Sequence, residues 1–424
     1  MWTLLSQVPI GGTVKPDQRL PWLQTTGIGM QHVIAMFGAT FLVPLLTGFP
    51  PTTTVFFSGV GTIIFLIVTR NKIPSYLGSS FAFIAPVIAS MGVDKNIGLA
   101  LGGIVAAGLM LFLVGLVVNR IGHAWINALM PPAVTGAIVM LIGLNLAPVA
   151  VKSATSNLGY SLLTIIAIVV IAATFNGFLG RISIFLGVVI AWIIAALTGG
   201  VDPKAIEALQ SAAWFGWPEF HTPQFALQPV LLMIPVVIVL IAENTGHVKA
   251  VAEMTGESLD GSLGRAYMGD GIATMVAGFF GGSGTTTYAE NIGVMAATRV
   301  YSTAAYFVAA SFAIVLGMCP KFGALILTLP VSVLGGVTVI LYGLIAVLGG
   351  RIWIEGNVDF RLNQNLFPAA IAVIVGAGDF TWAISKDLSF GGIALGTAGV
   401  LVCYHLMRWL SSTPRAEKRL APAE

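Results

Sequence analysis

The sequence predicts an all-α polytopic membrane protein, and three observations predict it. Hydrophobic residues make up 57% of the 424 residues and charged residues only 9%, where soluble domains run at about 25% charged. The mean hydropathy is +0.93. Apolar runs recur along the chain at about 20 residues, the length that crosses roughly 30 Å of hydrocarbon. The formal net charge of +3 and the lack of any basic block give nucleic acid no footing; the partners that composition implies are membrane lipids. Cys319 and Cys403 lie in or beside apolar runs, without metal-ligand or redox spacing, and read as packing residues. The first stretch, MWTLLSQVPIGGTVKPDQRLPW, lacks the charged start, apolar run and cleavage site of a signal peptide and reads as a short retained tail.

Fourteen transmembrane segments are expected, centred near Met36, Ile63, Phe83, Ala107, Met140, Ile166, Val189, Val239, Met275, Val294, Ala310, Val339, Val373 and Val400. The third and tenth are short and rich in Gly, Ser and Thr. The distribution of positive charge tests the count. Fourteen crossings put both termini on one face, together with Lys15, Arg19, Arg70, Lys72, Arg120, Arg181, Lys249, Arg265, Arg299, Arg351, Arg361, Arg408, Arg415, Lys418 and Arg419. Lys95, Lys152, Lys204, Lys321 and Lys386 fall on the opposite face. All arginines then share one side, and removing either weak segment alone scrambles the partition. Both termini are therefore expected in the cytoplasm.

The two halves echo each other. PPAVTGAIVMLIGLNL (Pro131–Leu146) aligns with VSVLGGVTVILYGLIA (Val331–Ala346), pairing Gly136 with Gly336, Val139 with Val339 and Leu141 with Leu341. SSFAF (Ser79–Phe83) aligns with TTYAE (Thr286–Glu290). Segment 5 thus matches segment 12, and segment 3 matches segment 10. A shift of seven crossings is odd, so the second half enters the bilayer upside down. The expected architecture is a 7+7 inverted repeat, an arrangement typical of secondary transporters with a site between the repeats. YLGSSFAF (Tyr76–Phe83) and GGSGTTTY (Gly281–Tyr288) are poor helix formers, because Ser and Thr favour caps and extended backbone. Each is expected to be broken into an extended stretch and a half-helix, with the two extended stretches paired as short antiparallel β. Pro86 and Glu290-Asn291 suit the first turns of such half-helices, whose amide ends would face a bound solute.

Three carboxylates lie inside lipid-grade segments: Glu243, Asp270 and Glu290. A carboxylate at membrane depth costs about 2.5–3.5 kcal/mol on insertion scales, so these mark a solute or proton pathway. Glu243 and His247 are four apart on one helix face, where a carboxylate and an imidazole can share a proton. Glu290 sits beside exposed backbone amides. Acidic acceptors, amide donors and rings such as Phe81 or Tyr288 suit a planar, neutral solute with alternating N–H and C=O groups. No Lys or Arg lies deep in a segment, which disfavours an organic anion. Plainer readings stand beside these. Glu243 could simply pair with His247, Asp270 with Arg265, and Glu290 could cap its own helix; His32 and Tyr342 could be packing residues. No catalytic triad, phosphate loop, metal spacing or cofactor motif is present, so no catalytic residue, metal or cofactor is expected.

The run Glu290-Asn291-Ile292-Gly293, closed by Thr298-Arg299, resembles the signature of the nucleobase–cation symporters, also called nucleobase–ascorbate transporters. Gln31-His32 followed by AMFGAT, KIPSYLGSSFAF (Lys72–Phe83) and AENTGH (Ala242–His247) resemble the bacterial uracil permeases of that family. The resemblance runs from about Arg19 to Arg408. It implies a tail (1–25), a core domain (26–123 and 223–322), a gate domain (124–222 and 323–410) and a second tail (411–424). It implies that Glu243 and Glu290 bind a nucleobase edge and that backbone at Phe81 and Ala289 meets its carbonyls. Ala39 would lie near the base and Tyr342 would face it from the gate. His247, Tyr288, Glu243, Glu290 and Asp270 would belong to a proton-coupled network. Glu at 290, where purine-transporting members usually carry Gln, points to uracil. Ala289 in place of Gly and Asp270 in place of Asn keep thymine or a purine such as xanthine open. An anion exchanger or channel of the same architecture is the rival from another class. The resemblance implies uptake of base and proton across a bacterial inner membrane, and leaves room for a homodimer.

Overall fold

Caps and breakers in the sequence set the helix ends. Asn96, Asn157 and Ser302 each accept a backbone N–H two residues ahead, the usual N-cap chemistry. Gly48, Gly256 and Gly281 close three helices at φ of 76°, 69° and 101°, a left-handed conformation that glycine enters without a Cβ clash. The computed structural model describes residues 2–411 except 10, 11, 93, 176, 177, 379, 381, 386 and 387. Lys386 and the tail residues Arg415, Lys418 and Arg419 lie outside the described residues.

The helices relevant to the site are α1 (Trp22–Thr47), α2 (Pro51–Val68), α3 (Ile84–Met91), α4 (Ile97–Ile121), α5 (Pro132–Asn145), α6 (Leu158–Thr174), α7 (Ser183–Leu197), α8 (Leu227–Thr255), α9 (Leu263–Phe280), α10 (Ala289–Thr298), α11 (Thr303–Gly317), α12 (Val331–Glu355), α13 (Asn363–Ala377) and α14 (Gly392–Ser411). Every expected segment centre falls in one of them except Phe83, which lies in the 3-10 turn Phe81–Phe83. By length and apolarity, 7 helices among the described residues can cross a membrane, or 8 when α11 and Pro320–Leu327, bent by 81°, count as one span. Length and composition alone therefore support fewer crossings than fourteen, because α3, α6, α7 and α13 are shorter apolar helices. The chain is a multi-pass, mostly helical membrane protein.

The third and tenth segments are broken. Strand β1 (Leu77–Ser79) precedes the 3-10 turn and α3, and strand β2 (Thr285–Thr287) precedes α10. The strands pair antiparallel, with Leu77 opposite Thr287, Gly78 opposite Thr286 and Ser79 opposite Thr285. The ladder runs one bond further at each end, Tyr288 N–H to the Tyr76 carbonyl and Ser80 N–H to the Gly284 carbonyl. Both strands are fully buried, as bare backbone at membrane depth must be. Sequence reading missed two smaller pairs: a parallel one between Thr3–Leu4 and Gln18–Arg19, and an antiparallel one between Trp382–Ser385 and Leu388–Phe390.

The chain divides into two units. The first contains Met1–His123 and Ser153–Val337; the second contains Ala124–Lys152 and Thr338–Glu424. In the first, α4 and α9 touch backbone to backbone. A Cβ on Gly108 would meet the Gly271 carbonyl at 2.7 Å, and one on Gly271 would meet the Gly108 carbonyl at 2.6 Å. Small residues permit such approach where lipid supplies no hydrophobic drive between helices. In the second unit, α5, α13 and α14 pack around Leu141, and Trp353 Nε1 of α12 donates to the Ala133 carbonyl at 3.1 Å.

Candidate functional site

The β1–β2 ladder organises the polar groups of the first unit. Glu243, half-buried on α8, accepts from Ser80 Oγ at 3.3 Å and Thr286 Oγ1 at 3.0 Å. One donor follows β1 and the other belongs to β2, so the carboxylate straddles both strands. Thr286 projects from one face of its strand, while Thr285 and Thr287 project from the other, as a period of two requires. Thr287 Oγ1 lies 2.7 Å from His247 Nδ1 and donates to Asn244 Oδ1 at 3.4 Å. Asn244 Nδ2 then donates to the Leu240 carbonyl at 2.9 Å and to Asp270 Oδ2 at 2.7 Å. Thr285 Oγ1 donates to Asp270 Oδ1 at 2.8 Å. Three consecutive threonines thus reach four polar side chains on α8 and α9, Glu243, Asn244, His247 and Asp270.

Two expectations are corrected here. Glu243 and His247 share a helix face but form no ion pair; each is taken by a different threonine of β2, because the strand presents hydroxyls between them. Asp270 is fully buried and held by Asn244 and Thr285, not by Arg265. Among the described residues no cation forms an ion pair with any of the three carboxylates.

Glu290 is the second residue of α10 and is exposed, as is Ala289. It lies within Coulombic reach of Glu243. Asp270 is likewise in reach of Glu243. Helix α10 has no side-chain cap, and neither the Ala289 nor the Phe81 amide has a protein acceptor among the described residues. Two open amides, at the starts of two short helices, therefore flank the carboxylates. The Tyr288 hydroxyl donates to the Ser79 carbonyl at 2.9 Å and is 3.0 Å from Thr40 Oγ1. Thr40 is the neighbour of buried Ala39 on α1. This pins the Tyr288 ring over Gly78, where an added Cβ would come within 2.5 Å of it.

His32 packs as a buried side chain. Asn291 Nδ2 donates to its Nδ1 at 3.1 Å and its carbonyl at 3.0 Å, and the Tyr306 ring lies 4.2 Å away. His32 Nε2 and Asn291 Oδ1 are buried without partners among the described residues. Tyr342 is in the second unit, buried on α12, with no partner for its hydroxyl among the described residues. Sequence reasoning missed Asn244, Ser80, Thr274 and the threonine triplet; Thr274 lies 2.8 Å from Thr285. The signal was a hydroxyl-rich stretch inside an apolar segment. No group of His, Cys, Asp and Glu that could hold a metal occurs among the described residues.

The family model Xan_ur_permease, described as Permease family, matches residues 23–385. The chain is 47% identical over 429 residues to the "Putative pyrimidine permease RutG" of Escherichia coli K12, covering 98% of this chain and 97% of the relative. It is 39% identical over 421 residues to the "Uracil permease" of the same organism, covering 96% of each. The transmembrane domain of a cyanobacterial bicarbonate transporter, BicA, shares the fold at a TM-score of 0.58 and 15% identity, over 90% of this chain and 97% of that one. On the family-model match over residues 23–385 and the near full-length match to these relatives, the chain belongs to this permease family, and it is a transporter rather than an enzyme.

Proposed function

We infer that the protein takes up uracil, or a closely related pyrimidine base, together with a proton across a bacterial inner membrane by alternating access. The observation that carries the reading is the Glu243 carboxylate bridged between the two broken segments by Ser80 and Thr286, beside the open amides of Phe81 and Ala289. That set offers acceptors for ring N–H groups and donors for ring C=O groups, and the names of the relatives point to the same substrate class. Glu243 and Glu290 bind the base edge, Phe81 and Tyr288 cover its face, and Ala39 lies beside the base. His247, Tyr288 and Asp270, joined to Glu243 and Glu290, form the proton-coupled network. Protonation lowers the repulsion between neighbouring carboxylates and lets a neutral base dock.

The inverted repeat of fourteen crossings, with core (26–123, 223–322) moving against gate (124–222, 323–410), supplies the alternation. Its support is the twofold occurrence of a short strand leading into a short helix, Leu77–Ser79 before Ile84–Met91 and Thr285–Thr287 before Ala289–Thr298. Both termini face the cytoplasm in this reading, and a homodimer is compatible with it. Labelled uracil in vesicles carrying an imposed proton gradient tests the mechanism. Glu243→Gln and Glu290→Gln should each abolish accumulation, and normal gradient-driven accumulation in both would refute it. Competition by unlabelled thymine and xanthine sets the range of bases. An anion exchanger is disfavoured, since no cation pairs with this carboxylate network among the described residues.

A further inference from the structure

A cavity of about 490 Å³ lies within the first unit, lined by Trp2, Lys15, Asp17, Arg70, Lys72 and Glu257, none of which belongs to the carboxylate network. Its size falls in the range of small-molecule pockets, about 300–1,000 Å³. Three cations and two carboxylates line it, yet none of them forms an ion pair among the described residues. Its walls are built rather than frayed. Trp2 Nε1 donates to Thr303 Oγ1 at 2.7 Å, and that hydroxyl donates to the Pro16 carbonyl at 2.9 Å. Val14 bridges to Val300. On the other side, Arg70 and Asn71 are consecutive residues at φ of 55° and 56°. A left-handed conformation is costly for a side chain such as that of Arg, and such outliers collect where a ligand or a switch needs them. Asn71 Oδ1 is buried there without a partner among the described residues.

We propose that this cavity binds a nucleoside monophosphate from the cytoplasm. Each wall group matches one part of that ligand. Lys15, Arg70 and Lys72 give the charge-assisted bonds a phosphate dianion takes. Asp17 and Glu257 accept from sugar hydroxyls. The Trp2 indole offers a face for a flat base. The cations belong to the face that the charge distribution assigns to the cytoplasm. Each wall also continues into the transport site. Lys72 lies five residues before β1, Glu257 two residues after α8, and the segment around Val14 is bonded to the chain just after α10. A ligand that ties the three together restrains the elements carrying Glu243 and Glu290.

Binding of uridine monophosphate, uridine and inorganic phosphate to the purified full-length protein in detergent tests the assignment. Uridine monophosphate should bind more tightly than either fragment. The double variant Lys15→Gln/Lys72→Gln should weaken it by roughly tenfold or more, with the unliganded melting temperature and the uracil affinity unchanged. Trp2→Ala should weaken uridine monophosphate but not inorganic phosphate. Absence of nucleotide binding to the wild type, or binding that the double variant leaves intact, overturns the proposal. So does a result in which the double variant removes only stabilisation by phosphatidylglycerol nanodiscs, which would assign the cavity to a lipid headgroup.

Discussion

Thr286 shows how one hydroxyl can set a transport site. It donates to Glu243 at 3.0 Å from the strand that also supplies Thr285 to Asp270 and Thr287 to His247. A hydrogen bond to a charged group is worth about 1.5–3 kcal/mol, and about 1.4 kcal/mol is tenfold in affinity. Thr286→Val should therefore weaken uracil binding by roughly tenfold or more, while Thr286→Ser restores it; isothermal titration measures both, and unchanged affinity in Thr286→Val would show that the hydroxyl does not orient the carboxylate. Glu243, Asp270 and Glu290 were visible in the sequence because a charge in an apolar run stands out against its neighbours. Their hydroxyl and amide partners were not visible. Serine, threonine and asparagine are common in any loop, and nothing local says which carboxylate each will meet.

At the level of elements, the two-strand ladder depends on glycines that let rings lie against it. A Cβ at Gly78 would come within 2.5 Å of the Tyr288 ring, and one at Gly284 would collide with Phe83. Overpacking a tight site costs about 1–3 kcal/mol. Gly78→Ala should lower the melting temperature in detergent and reduce uracil uptake together, since Tyr288 cannot keep both its Ser79 and Thr40 contacts. An unchanged melting temperature would mean that the ring moves aside freely. The broken character of both segments followed from composition alone, as Gly, Ser and Thr resist a continuous helix. Their pairing register did not, because it joins residues some two hundred positions apart and is set by burial of both strands against α2, α8 and α9.

For the whole molecule, the proposed orientation with both termini in the cytoplasm rests on the distribution of lysine and arginine. With Cys319 and Cys403 replaced by Ser, a cysteine at Thr3 or Ser411 should react with a membrane-impermeant maleimide only after cells are permeabilised, whereas one at Gln210 should react in intact cells. Labelling at Thr3 in intact cells would invert the topology. The sequence by itself determined the membrane class, the three acidic positions inside apolar runs and the two interrupted segments, because hydropathy and propensity are properties of short windows. Only the tertiary structure decided that Glu243 spans two strands, that His247 and Asp270 join through Asn244 and the threonine triplet, and that the tail, bonded to the chain at Val300 and Thr303, lines a cavity together with the turn at Arg70. Those arrangements depend on which distant backbone and hydroxyl groups are brought together once water is excluded, and no short stretch of chain carries that information.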